Sequence, residues 1–312
     1  MSIPTSPQLT PTTPTSAPPA YGIAASGYRL PAATTLGKVV LQVADLERSL
    51  AYYERVLGLR TVERSAQRAT LGPHGEDVAL VELREHPGAR PVPRRGRLGL
   101  YHFAILLPDR TALARFLAHL AQLGVYAGMS DHLVSEALYL TDPDGLGIEV
   151  YADRPRSTWQ ARDGQLVMAT EPLDVHDLLT AAGGKAWTGM PAGTRIGHVH
   201  LHVGDLASAA EFYHRGLGLD QMVWSYPGAL FLSAGGYHHH LGVNTWAQGA
   251  EPAADDDARL VEWEVLVPTR DDAAAAIDSL AAVGVEVERD ADGGSARDPW
   301  GVGLRLRAQS AR

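Results

Sequence analysis

The sequence predicts an α+β protein assembled from four β-α-β-β-β modules, and three observations carry that prediction. The first is a duplication: L-G-K-V-V-L-Q-V-A-D-L from Leu36 aligns without a gap on I-G-H-V-H-L-H-V-G-D-L from Ile196, and V-L-G-L at Val56 on G-L-G-L at Gly216. The second is a unit that recurs behind each copy. L-L-P-D-R at Leu106 matches L-V-P-T-R at Leu266, Leu123-Gly124 matches Val283-Gly284, and D-P-D-G-L-G at Asp142 matches D-P-W-G-V-G at Asp298. The third is a repeated switch of hydrophobic period, from two to helical spacing and back.

Residues 1–30 are rich in Pro, Thr, Ser and Ala with little charge, which predicts a disordered tail. The first module, 36–87, opens with a strand at Lys38–Val43. Asp45 then caps a helix over Leu46–Leu57 that ends before Gly58, and strands follow at Arg60–Arg64, Arg68–Leu71 and Val78–Leu83. The second module, 98–155, begins with Y-H-F-A-I-L-L after Leu100. Its helix runs from Thr111 to Leu123 and is closed by Gly124, and a hairpin turn at Asp142–Gly145 precedes its last strand. A connector, 156–193, holds a short helix over Leu173–Ala182. Modules at 194–248 and 258–308 complete the chain.

Composition narrows the partners. The chain has 312 residues, no cysteine and a formal net charge of −9, so disulfides and thiolate metal sites are excluded and any metal must be held by imidazole and carboxylate. No basic cluster suggests nucleic acid or an anionic membrane. Nor is there an apolar run of spanning length or an N-terminal leader pattern, so a cytoplasmic protein acting on a small molecule is expected. A homo-oligomer is left open.

The strand at Ile196–Val203 carries the most chemistry. Val199, Leu201 and Val203 alternate with His198, His200 and His202, which sends all three imidazoles to one face. One inward histidine is ordinarily a hydrogen-bonded core residue. Three together would be costly to bury unless they line a wet cavity or hold a metal.

The four modules, with their G-H-V-H-L-H-V, D-L…F-Y…L-G-L and D-P-D-G…I-E-V-Y signatures, resemble the vicinal oxygen chelate superfamily of glyoxalases, bleomycin resistance proteins and extradiol dioxygenases. The resemblance covers nearly everything after residue 35. It implies that paired modules form half-open barrels whose concave faces hold a divalent metal, with ligands on first and last strands. The first-strand position falls on Lys38, His102, His198 and Glu262. Alternation with Phe103, Ile105 and Leu107 turns His102 toward the cavity, and Ile148 and Val150 bracket Glu149 so that it faces the same way.

His102, Glu149 and His198 make a two-histidine, one-carboxylate set suited to Fe(II), with Mn(II) the second candidate. The resemblance to extradiol catechol dioxygenases further implies a Tyr ten residues before the Glu, which falls on Tyr139, and a His upstream, which falls on His132. It also implies an acid/base His in G-G-Y-H-H-H-L-G-V-N at Gly235. If Leu241 and Val243 face the helices, then His240, His238 and Asn244 point inward and His239 points away, so His240 is the expected acid/base. His200, His202, His238, Tyr237 and Asn244 are expected to support the ligands or line the pocket, with Trp246 a weaker candidate for its wall. The expected partners are a small aromatic diol and dioxygen.

Lys38 would oppose a metal in module one. Modules two and three are therefore expected to pair into the metal barrel and modules one and four into a metal-free one; the alternative is that residues 31–155 and 194–308 each close a barrel alone. A glyoxalase-like or thiol-transferase enzyme, a metal-free binding protein and a degenerate scaffold remain as rival readings.

Overall fold

The computed structural model describes residues 21–309. Module one contributes strands β1 (Thr35–Val43), β2 (Arg60–Arg64), β3 (Arg68–Gly72) and β4 (Val81–Glu85) with helix α1 (Leu46–Arg55). Module two contributes β5 (Gly99–Leu106), β6 (Gly128–Asp131), β7 (Ser135–Thr141) and β8 (Gly147–Asp153) with α2 (Arg110–Leu123). The connector forms a small hairpin, β9 (Ala161–Arg162) and β10 (Gln165–Leu166), and the short helix α3 (Val175–Thr180). Module three holds β11 (Arg195–His202), β12 (Asp220–Val223), β13 (Ala229–Ser233) and β14 (Leu241–Asn244); its helix α4 (Leu206–Ala209) widens into a π turn at Ala210–Gly216. Module four holds β15 (Arg259–Val267), α5 (Arg270–Ala282), β16 (Val287–Asp290), β17 (Gly293–Arg297) and β18 (Gly303–Ala308).

The modules pair across the duplication. One eight-stranded sheet runs β12-β13-β14-β11-β5-β8-β7-β6, joining modules three and two, and the other runs β16-β17-β18-β15-β1-β4-β3-β2, joining four and one. Each sequence half therefore gives one module to each barrel. The junctions are antiparallel, His200 opposite His102 in one and Val40 opposite Glu262 in the other. The helices cover the outer faces, and the apolar residues of both sheets merge into one continuous core that includes Trp263, Tyr53, Phe103 and Phe116.

Local chemistry explains the element ends. Asp45 and Asp109 accept hydrogen bonds from the backbone N–H of Arg48 and Ala112, capping α1 and α2. Gly124 closes α2 in the left-handed conformation, φ 66°. The strand expected at Val78–Leu83 sits instead at Val81–Glu85, where its residues pair with β1 and β3. The larger correction concerns the N-terminal segment. Residues 1–20 lie outside the described residues, but 21–30 are not a tail: Ile23 exchanges backbone hydrogen bonds with Gln221, Arg29 pairs with Asp220, and Leu30 is buried. Tyr21, Ile23 and Leu30 give this stretch enough apolar surface to dock, and it covers β12, the edge strand of the sheet that joins modules three and two.

Two equivalent hydrogen bonds tie the barrels together. Tyr53 on α1 donates to Asp142 (3.2 Å), in the turn between β7 and β8, and Tyr213 in module three donates to Asp298 (2.8 Å), in the matching turn of module four. The other oxygen of Asp142 accepts the backbone N–H of Asp144 and Leu146. Burial pushes the Asp142 carboxyl up from 3.8 to about 6, against these hydrogen bonds. Between those values the folded chain keeps a proton that the unfolded chain has released, so stability falls as pH rises from about 4 to about 6, by up to about 3 kcal/mol from this group. Asp142→Asn preserves the oxygen that receives the two backbone groups. Urea titrations of both proteins from pH 4 to 7 should show the variant gaining on the wild type over this window; parallel pH profiles would refute the assignment.

Candidate metal centre

Two adjacent rows of residues across the metal-barrel sheet build the site. In the first, Tyr139 on β7 lies opposite Glu149 on β8, Glu149 opposite Ala104 on β5, and Ala104 opposite His198 on β11. Ala104 keeps the middle of this row low. In the second, His102 lies opposite His200, His200 beside Gly242 and Gly242 opposite Phe231. A Cβ at Gly242 would come within 2.9 Å of the His200 ring, so no side chain fits between them.

His102 and His198 stand diagonally across the strand junction, and their Nε2 atoms are 3.3 Å apart. Glu149 Oε2 lies 2.9 Å from His102 Nε2 and 3.1 Å from His198 Nε2. All three side chains are buried. Donors about 2.1 Å from one ion lie ~3.0 Å apart on an octahedral face and ~3.4 Å apart on a tetrahedral edge. The observed separations, 2.9, 3.1 and 3.3 Å, fall across this range, so the three donors can reach one ion together. Charge fits as well: burial pushes His198 down to about 4, while Glu149, whose ionisation burial opposes, is held well below the usual carboxylate range by His198 and His102. A neutral imidazole beside an ionised carboxylate is what a divalent cation requires.

Hydrogen bonds fix the surrounding rings. The backbone N–H of Trp246 donates to Asn244 Oδ1 (3.0 Å), which places the amide nitrogen of Asn244 toward His200 Nε2 (2.9 Å). His200 Nε2 therefore accepts, and its proton sits on Nδ1. His202 donates from Nδ1 to Asn244 Oδ1 (2.7 Å). On the other wall His132 Nδ1 donates to the Ala169 carbonyl (2.7 Å), which leaves Nε2 to accept the Tyr139 hydroxyl (2.6 Å). The cavity is about 220 Å³, with Tyr101, Tyr226, Phe231 and Trp246 among its walls.

The His238–His240 segment departs from expectation. His239, not His240, lines the cavity, its ring centroid 4.0 Å from that of His198. His240 faces away: its Nδ1 accepts from the Ala234 N–H (3.2 Å) and lies 3.0 Å from the Ser233 hydroxyl. β14 begins only at Leu241, and Gly235 and Gly236, both left-handed (φ 63° and 67°), turn the chain beforehand, so strand alternation does not reach back to these histidines. His238 is not in the cavity either. Its Nε2 donates to Asp153 (2.9 Å), and as a neutral imidazole its Nδ1 then accepts from His239 Nδ1 (2.7 Å). Tyr237, also expected at the pocket, hydrogen-bonds Tyr151 and Asp153 behind the site.

Five contributors had no clear signal in the sequence. Tyr101 is the extra residue of a β-bulge opposite His200 and Leu201, which lets it reach the cavity next to its neighbour His102. Met168, Ala169 and Thr170 come from the connector. Asp153 acts through His238.

A family model described as the Glyoxalase/Bleomycin resistance protein/Dioxygenase superfamily matches residues 35–150 and 195–306. A catechol-2,3-dioxygenase of Bacillus subtilis (strain 168) is 45% identical over 270 residues, spanning 85% of this chain and 94% of the relative. The fold is shared with a crystal structure of a candidate dioxygenase from Bacillus subtilis subsp. subtilis str. 168, at TM-score 0.61 and 15% identity, covering 91% of this chain and 87% of that one. It is shared too with glyoxalase I from Zea mays, at TM-score 0.51 and 19% identity, covering 88% and 92%. With the family model matched in both halves and the crossed pairing of modules in place, the chain belongs to the Glyoxalase/Bleomycin resistance protein/Dioxygenase superfamily.

Proposed function

We propose that the protein is an extradiol ring-cleaving dioxygenase acting on a catechol-type substrate, with Fe(II) held by His102, Glu149 and His198. The chain is catechol 2,3-dioxygenase-like over most of its length. The observation that carries the mechanistic reading is the hydrogen-bonded Tyr139–His132 pair on the cavity wall beside the three converging donors. A scaffold or an isomerase gives that pair no task. Nor does the site supply the second carboxylate of a glyoxalase centre, because Gly242 stands packed against His200.

A divalent iron held by His102, Glu149 and His198 would supply Lewis-acid and oxygen-activating chemistry for a vicinal diol. The remaining work falls to the chain. Tyr226, Phe231 and Trp246 exclude water and stack the ring. Tyr139, its hydroxyl proton directed to His132, turns its oxygen's lone pairs to accept from the diol and orient it. His239 takes the acid/base role that the sequence placed on His240: because its Nδ1 donates to His238, which donates to Asp153, Nε2 remains the free lone pair to receive a diol proton. His200, with Nδ1–H directed by Asn244, is a second donor at the cavity wall.

The test is to load the protein anaerobically with Fe(II) or with Mn(II), add catechol, admit air and follow the yellow ring-fission product. Colour with Fe(II) is expected. Tight Fe(II) binding with no colour from any vicinal diol would move the protein to another metal-dependent class.

A further inference from the structure

A second, more open cavity of about 590 Å³ lies beside the first and forms its antechamber, with Tyr101, His102, Tyr139 and Trp246 lining both. The antechamber has no carboxylate on its walls, although the chain carries a net charge of −9. Two exposed arginines, Arg94 and Arg95, stand at its rim instead. They occupy the middle of a tight turn closed by a hydrogen bond from the Gly96 N–H to the Pro93 carbonyl (2.8 Å).

The turn is held in place from both sides. Arg90 and Arg97 pair with Asp256 and Asp257, Val92 donates to the Asp144 carbonyl, and Leu98 to that of Glu251. Gly96 is in the left-handed conformation, φ 73°, and packs against His202, where an added Cβ would lie 3.4 Å from the ring. Arg94 and Arg95 differ from the arginines flanking them, since neither has a carboxylate within ion-pairing distance among the described residues. A fixed turn thus presents two uncompensated cations to the outer end of a cavity whose inner end holds the metal donors.

Resting on the dioxygenase reading, we propose that Arg94 and Arg95 form a subsite for an anionic ring substituent, so that the preferred substrate is a vicinal diol carrying a carboxylate. With the diol at His102, Glu149 and His198, the far side of the ring passes Tyr101 and Trp246 and delivers its substituent to the turn. The planar, forked guanidinium suits a carboxylate better than an ammonium would.

The test compares 3,4-dihydroxyphenylacetate with 4-ethylcatechol, which differ mainly in charge. The wild type should favour the acid in kcat/KM by about five- to tenfold. Raising the salt from about 0.05 to about 0.5 M should shrink that preference. The ratio should fall toward one in Arg94→Ala/Arg95→Ala and below one in Arg94→Glu/Arg95→Glu. A wild-type ratio near one, or a ratio that the substitutions leave unmoved, overturns the subsite. If the Fe(II)-loaded protein cleaves neither diol, the dioxygenase reading fails and calorimetric titration of the same two diols under nitrogen decides the subsite alone: an arginine-dependent preference for the acid upholds it, and equal affinities overturn it.

Discussion

Glu149→Gln should lose bound iron while keeping its fold. The carboxylate is the one anionic donor of the three, and both imidazole nitrogens lie within 3.1 Å of the same oxygen, Oε2. A neutral amide of nearly equal volume keeps the packing but removes the charge that offsets a dication in a buried site. We expect affinity for Fe(II) to drop by more than about 100-fold, larger than the loss typical of a residue that only supports a ligand. His102→Ala and His198→Ala should behave alike. Anaerobic iron titration with a chelator competitor, alongside far-ultraviolet circular dichroism, reads both quantities; a Glu149→Gln protein that holds one iron as tightly as the wild type would refute the donor set.

His239→Asn should do the reverse, keeping iron and losing turnover. An acid/base group positioned on a reacting proton contributes on the order of 100- to 10,000-fold, so kcat should fall by at least about 100-fold with KM little changed. His240→Asn is the contrast. The asparagine oxygen can replace Nδ1 as acceptor for the Ala234 N–H, so that variant should lose some stability yet turn over within a few-fold of the wild type. The opposite ranking of the two would return the acid/base role to His240.

The comparison of these two histidines shows what a sequence can and cannot convey. Strand alternation depends only on local backbone geometry, and it placed His102, Glu149 and His198 on one face correctly because each sits inside a paired strand. The crossed pairing of modules was also legible, since Lys38 is incompatible with a cation site. It pairs in the structure with Glu82, which Arg84 and Arg68 also approach. His238–His240 fall outside the ladder, behind two left-handed glycines, where period-two reasoning has no hold; the Gly235-Gly236 pair was the available warning. Ala169 and Thr170 reach the site through a connector whose path depends on distant contacts. The docking of residues 21–30 turned on a few apolar side chains among many prolines and serines, too few to outweigh composition.

The crossed pairing also sets a timetable for synthesis. β1 cannot complete its inner edge until β15 has been made, more than 200 residues later. At about 5–20 residues per second that is a wait of roughly 10–40 s, whereas β5 meets β11 after roughly 5–20 s. The barrel that bears the candidate metal site can therefore close on the ribosome while the first module is still half-paired. During that interval the lysine at position 38 lies on an open strand edge, where charge discourages pairing with other chains. Lys38, which stands where the second module has His102, would thus serve the nascent chain by its charge before it pairs with Glu82 in the finished barrel.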